Sequence, residues 1–328
     1  ARDDAPERFA AYFHATLAEL CRRLGLAPAL LPPGDLPGAM EAWLAALPHE
    51  APPARLVLDD FHHLRHPRIL EALRHWLDHQ PPWLTLTLAS RTRPALGTAG
   101  LRLRGELEEI GVTELAFELE EAQTLCVEQL SFPPTRVSLE RALRRTEGWP
   151  LALAWLIERT TTRAAFDSLL ERLDGAHPDY VAWFDELLED SVDEQDRQLL
   201  LQLGVLERFS PTLTARLLEG ERLSQRLEAL EQGGLFLERV EPHSQWLRFH
   251  PLFAGYLRHR RHELSLATQR ELHQRASIAW LRLGNPALAL AQAIEAEAPD
   301  ALAELLEQQG PTLLANGHFA LLARGLAA

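Results

Sequence analysis

Apolar positions along this chain change rhythm twice, and the changes divide it into regions. Phe9, Phe13, Leu17, Leu20 and Leu24 recur at helical spacing, which predicts a helix over 7–24. The Pro/Gly-rich stretch "LAPALLPPGDLPG" reads as a loop, and "AMEAWLAAL" as a short helix. In "RLVLDDFHHL" the continuous apolar run Leu56–Val57–Leu58 predicts a strand buried on both faces. "PRILEALRHWLDHQ" is a helix with Pro67 in its first turn. A second strand occupies 84–88 and ends at Ser90 and Arg91, and "ELEEIGV", ending near Val112, reads as a third. Strand–helix–strand alternation predicts a parallel sheet, here an incomplete one.

Beyond about residue 118 the period becomes helical almost throughout. "LEEAQTLCVEQL" is amphipathic, and "SLERALRRTEGWPLALAWLIERT" breaks at Gly148 and restarts at Pro150. Helices follow over 180–190, 193–204, 211–219 and 222–232. The period then shortens: "LFLERV" and "QWLRF" flank "EPHS" as a two-stranded hairpin between helices, the pattern of a winged helix. From 264 onward Ala276, Trp280, Leu283, Gly284, Ala287 and Ala291, with a Gly-Asn-Pro turn, predict the first units of a helical-repeat array. The expected architecture is mixed and mostly α: a truncated α/β domain (1–117), a helical lid (118–176), a winged-helix domain (177–263) and the start of a helical superhelix (264–328).

Composition narrows the function. Acidic residues outnumber basic ones 47 to 33, giving a formal charge of -14, which argues against a nucleic-acid footprint. Two cysteines, Cys21 and Cys126, offer no disulfide framework and suit a reducing cytoplasm. No apolar run is long enough to span a bilayer. Every basic residue is arginine, so no G-x-x-x-x-G-K-[ST] phosphate loop is present. The chain opens at Ala1 in mid-phrase and closes in a helical pattern, so it reads as a piece of a larger protein.

Asp59 and Asp60 follow the first strand at its carboxyl end, where ligands collect in open α/β sheets. The residues alone allow two readings. In one, the pair serves a magnesium–phosphate site; in the other, a strand ends in an N-capping aspartate. Arg91 reads either as a phosphate-facing guanidinium or as a surface arginine, "GWP" as a lid motif or as helix punctuation, and His250 as a ligand or as a satisfied residue at a helix start. His62, His63 and His66 cluster, and His75 and His79 share a helical face. Neither group has a cysteine or glutamate at a recognised ligand spacing, so no metal centre is expected there. Trp43, Trp76, Trp83, Trp149, Trp155 and Trp183 are expected in core or lid packing.

Five segments in order carry a resemblance: "DDAPERFAAYFHATL", "LVLDDFHHL", "LASRTRPALGTAGLRLRGELEEIG", "EGWPLAL" and "FHPLFAGYLR". Together they resemble the large LuxR-type, MalT-like regulators among the signal-transduction ATPases with numerous domains (STAND). The resemblance implies an ATP-dependent, inducer-responsive transcription regulator. Asp59 and Asp60 would serve Mg2+ and the attacking water, Arg91 the γ-phosphate, Pro150 the adenine and His250 the β-phosphate. It implies self-association in the ATP state, a small-molecule or protein inducer, DNA contact only through a C-terminal helix-turn-helix absent here, and a cytoplasmic location. Without the phosphate loop, ATP or ADP binding and hydrolysis by this chain alone are expected to be weak or absent. The alternative is a helical-repeat interaction scaffold with a degenerate nucleotide site. A stand-alone hydrolase using Asp59, Asp60 and the histidines lacks a phosphate or oxyanion cradle.

Overall fold

The computed structural model describes residues 4–27, 35–220, 222–241 and 243–328. Most of the "LAPALLPPGDLPG" loop and one residue of the "EPHS" turn lie outside the described residues. The chain forms two units: Ala1–Glu109 with Gln232–Gly234, and Ile110–Glu231 with Leu235–Ala328.

In the first unit, α1 (Pro6–Arg23) turns its period-3.6 stripe of Phe9, Phe13 and Leu17 inward. Phe13 stacks on Trp43 of α2 (Leu36–Ala46) and meets Trp76 of α3 (Pro67–His79) edge-on at 4.9 Å between ring centres. This aromatic core lies against the strands β1 (Ala54–Leu58) and β2 (Leu84–Leu88), paired in parallel from Ala54–Leu84 to Leu58–Leu88. Trp83 is buried just before β2 and donates its indole N–H to the Pro48 carbonyl.

Two expectations fail here. The apolar run of β1 is covered on one face only: Leu56 is buried, whereas Val57 is 54% exposed and Arg55 is exposed beside it. A continuous apolar run therefore did not mean two covered faces. The third strand is also absent: α4 (Ala99–Arg104) ends at the left-handed Gly105, and 106–111 form neither helix nor strand. Within that segment Glu109 faces outward to the guanidinium groups of Arg93 and Arg102, and Ile110 is exposed. Three glutamates in six residues left it little apolar surface with which to join a sheet.

The second unit starts with α5 (Val112–Leu115) and continues through α6 (Leu119–Gln129), α7 (Arg136–Thr146), α8 (Pro150–Glu158) and α9 (Arg163–Glu171). The helix α9 was not read from the sequence. Its Phe166 and Leu170 are buried, and Arg145 of α7 donates to the carbonyls of Leu170, Glu171 and Leu173, closing the α9 C-terminus. Next come α10 (Pro178–Ser191), α11 (Glu194–Leu203), α12 (Pro211–Leu217) and α13 (Leu223–Gln232). The antiparallel strands β3 (Leu237–Arg239) and β4 (Leu247–Phe249) form the expected hairpin and lead into α14 (Pro251–Arg260). From 264 onward the chain forms four helices, α15 (Leu266–Arg282), α16 (Pro286–Glu295), α17 (Pro299–Ala315) and α18 (Phe319–Ala327). Gly284, at φ +73°, makes the turn and Asn285 caps α16. A buried polar chain ties α15 and α16 to the loop after α11: His273 meets the Gln292 side-chain carbonyl, whose amide donates to the Val205 carbonyl. Trp246, just before β4, stacks on Trp280 of α15, with Arg208 over both rings.

Gly175 and Gly255 let the 174–176 loop lie backbone-to-backbone on α14. A Cβ on Gly175 would stand 1.7 Å from the Leu252 carbonyl oxygen, and one on Gly255 would stand 1.9 Å from an Asp174 carboxylate oxygen and 2.8 Å from the Gly175 nitrogen. Gly175→Ala should therefore destabilise the chain by about 3 kcal/mol. Gly100→Ala, at an exposed helical site where a Cβ would meet only the flexible Arg104 guanidinium at 3.3 Å, should be neutral or stabilising by about 0.5 kcal/mol. Thermal unfolding of the two variants checks the contrast.

Candidate functional site

The pair Asp59–Asp60 lies at the carboxyl end of β1, as expected, and both residues are exposed. Asp59 turns its carboxylate back to accept the Asp60 backbone N–H at 2.8 Å. Asp60 adopts a left-handed conformation, φ 50° and ψ 37°, and starts the 3-10 turn Phe61–His63 without capping it through its side chain. The capping alternative is thus set aside for Asp60. Its carboxylate instead faces His62, with Oδ1 and Nδ1 3.9 Å apart. Burial first, then His63 and Arg91, hold the His62 imidazole below its ordinary pKa, against the pull of Asp60. Arg91 is exposed just past β2, and nearby the Ser90 hydroxyl donates to the Thr92 carbonyl.

In the second unit the structure gathers Pro150 and His250 around one turn. The helix α7 ends at Thr146, and Glu147 and Gly148 are both left-handed, at φ 49° and 74°. A Cβ on Gly148 would stand 2.6 Å from the Phe117 carbonyl oxygen, so this position needs glycine on two counts. Pro150 then starts α8 with its φ already set for a helix. The Thr146 carbonyl receives two donors, the Trp149 backbone N–H at 2.9 Å and Nε2 of His250 at 2.9 Å.

His250 is almost fully buried and belongs to a repeated device. His66–Pro67, His177–Pro178 and His250–Pro251 each start a helix, with the histidine Nδ1 accepting the backbone N–H two residues on. The bland reading of His250 as a helix-start residue is therefore correct for Nδ1. An accepting Nδ1 places the proton on Nε2, and that N–H donates to Thr146. Burial holds the imidazole below its ordinary pKa, against the Thr146 hydrogen bond and Glu147. The ring is consequently neutral and presents one fixed donor.

Sequence reading missed the groups that brace this turn. Arg248, two residues before His250 on the same side of β4, forks onto Glu147 at 2.5 and 2.9 Å. It also reaches Glu238, directly opposite on β3, at 2.8 Å. Burial, then the Glu147 charge, raises the Glu238 pKa above the usual carboxylate range. Glu147 lies 101 positions from Arg248, and the one local signal was the alternation of Glu238 and Arg248 across a hairpin. The rings of Trp183 and Phe236 flank Trp149 at 5.2 and 5.0 Å between centres, and His250 lies edge-on to it at 5.8 Å.

A β-hairpin leading into a histidine-capped helix, with α7 ending against it, is the arrangement of a winged-helix module. Residues 184–270 match the family model described as the MalT winged helix domain. Over 280 residues the chain is 38% identical to the HTH-type transcriptional regulator MalT of Yersinia enterocolitica, a match covering 84% of this chain and 31% of the relative. The same protein from Yersinia pestis and Yersinia pseudotuberculosis matches with the same identity and coverage. The chain thus spans about a third of the length of these relatives. A STAND protein with a tetratricopeptide repeat sensor from Pyrococcus horikoshii aligns with 98% of this chain and 44% of its own, at 16% identity and a TM-score of 0.36, too low to define a shared fold. The chain is thus similar to a portion of the MalT transcriptional regulators, and residues 184–270 carry a winged-helix domain of the MalT type.

Two outcomes are expected from this brace. Removing the guanidinium with Arg248→Met strands two half-buried carboxylates and should cost about 2 kcal/mol. Glu238→Gln should be neutral or stabilising at pH 7, with its benefit shrinking as the pH falls and the native carboxyl takes up its proton. Because His250 and His273 both sit below their ordinary value of 6.5, they contribute stability above about pH 6.5 that is lost as the pH falls through their depressed values. Melting curves from pH 7 to 5 should therefore show a smaller acid loss in His250→Asn, which keeps a capping oxygen, than in the parent chain.

Proposed function

We propose that this chain is the switch body of a bacterial ATP-dependent, inducer-responsive transcription regulator, in which bound ADP or ATP controls domain closure and self-assembly. The observation that carries the reading is the pairing of the His250 Nε2–H with the Thr146 carbonyl, one turn before Pro150. That N–H is neutral, fixed in direction by the cap, and engaged by a lone carbonyl in an aromatic surround. A phosphate oxygen would accept the same proton more strongly than the carbonyl does. Exchange of one acceptor for the other couples the occupant of the site to the lid helix α7.

The remaining roles follow from the family pattern. Asp59 and Asp60, exposed at a strand end, suit the metal shell and the attacking water. Arg91 suits the γ-phosphate, and the Pro150 ring suits the adenine face. The residues present fit Mg-nucleotide chemistry in part: two exposed carboxylates and a guanidinium at strand ends, with no phosphate loop in this sequence. In this reading the segments 1–117, 118–176, 177–263 and 264–328 are nucleotide-binding, lid, winged-helix and sensor parts. The regulator acts in the cytoplasm, an inducer binds the helical array, and DNA is contacted by a domain outside this chain. Among the described residues no helix is long and apolar enough to cross a membrane.

The test is nucleotide affinity in the full-length regulator. His250→Asn should preserve the helix cap and weaken ADP binding about tenfold or more, the loss expected for one hydrogen bond to a charged group. Asp59→Asn should leave ADP binding nearly intact and abolish Mg-dependent ATP turnover. Unaltered ADP affinity in His250→Asn would defeat this reading. Absence of any nucleotide binding by the parent would favour the interaction scaffold.

A further inference from the structure

The turn after β1 brings together three groups that the sequence spacing did not connect. At left-handed Asp60 the chain turns so that its exposed carboxylate also faces His62, and His63 follows on the same 3-10 turn. One ligand atom each from Asp60, His62 and His63 lies within 4.8 Å of the others. The two imidazole rings are 4.1 Å apart between centres. The His62 side chain is only 9% exposed, and its Nδ1 is buried with no hydrogen-bond partner among the described residues. A buried, unpartnered ring nitrogen beside a carboxylate normally costs stability, and an occupant that accepts its lone pair removes that cost.

We propose that Asp60, His62 and His63 form a binding site for a borderline-soft divalent cation, with Zn2+ as the fitting ion. Two imidazoles and one carboxylate are a zinc ligand set that leaves a fourth position open to water. With metal–ligand bonds of about 2.0–2.2 Å, neighbouring ligands of a tetrahedral ion stand about 3.4 Å apart. Asp60 Oδ1 and His62 Nδ1 are 3.9 Å apart, and the Asp60 side chain, 68% exposed, is free to close the difference. Mg2+ demands oxygen ligands and does not suit this set. The guanidinium groups of Arg65 and Arg91 bear on His62 and weaken any cation here, so micromolar rather than structural affinity is expected. The inference is independent of nucleotide binding. It does imply that an ion on Asp60 competes with any nucleotide duty of that carboxylate.

Titration of the 328-residue chain with Zn2+ alone, without nucleotide, tests this, using competition against a chromogenic chelator and the visible spectrum of the Co2+ form. One ion per chain is expected, with a tetrahedral Co2+ band. His63→Ala, at an exposed position, and His62→Ala should each weaken binding about tenfold or more, and Asp60→Asn should weaken it by a smaller factor. A tenfold excess of Mg2+ should leave binding unchanged. The histidine pair on α3, whose rings are 4.3 Å apart, supplies the control: His75→Ala/His79→Ala should bind as the parent does. Undiminished binding in His63→Ala and His62→Ala, loss in the α3 double variant, or displacement by Mg2+ would each overturn the proposal.

Discussion

One carbonyl organises the larger unit. The Thr146 oxygen ends α7 and would otherwise be an orphan of that helix terminus. It accepts from the Trp149 backbone inside its own turn and from His250, 104 positions away. Around this point the left-handed pair Glu147–Gly148 bends the chain. Arg248 clamps the bend from β4, and the aromatic rings of Trp149, Trp183 and Phe236 enclose it. The end of α7 and the β3–β4 hairpin therefore share a polar joint in an apolar setting. In such surroundings hydrogen bonds are strong, and an unpartnered group is costly.

The joint also explains how charge is handled in a chain whose only cations are guanidinium groups. Arg248 and Arg226 each serve several acceptors at once, using the forked geometry that an ammonium lacks, and Arg145 reaches three carbonyls through a single Nη. Arg226 binds Asp193 and Asp196 at the start of α11, and Arg145 closes α9. These cations bridge chain segments more than they decorate the surface. The excess of carboxylates is partly absorbed at such shared sites.

Much of this was legible before any coordinates. Gly148 followed by Pro150 announced a helix end and restart, and the short alternation around "EPHS" announced the hairpin, because both depend on local backbone chemistry. Three features were hidden for physical reasons. The segment 106–111 offers only Leu107 and Ile110, three positions apart, as apolar side chains, too little surface for the expected third strand to join a sheet. The left-handed turn at Asp60 occurs at a residue that is not glycine, so nothing in the sequence marked where its carboxylate would face. The Glu147–Arg248 pair is a product of topology, invisible to any window of neighbouring residues. The motif residues themselves divide between the two units: Asp59, Asp60 and Arg91 in one, Pro150 and His250 in the other.

The three His-Pro helix starts invite a comparison of a different kind. The dipeptide is the same each time, and so is the bond from the second backbone N–H to Nδ1. Only the depth of the site differs: His66 and His177 are half-buried, while His250 lies in the core. A cap is a structural part that any helix can carry without consequence elsewhere. Sinking one copy beneath its neighbours turns the unused side of the ring into an instrument of long-range contact. New capability thus requires no new residue type, only a change in what surrounds an old one. The two shallow copies show what the third would be without its surroundings: punctuation.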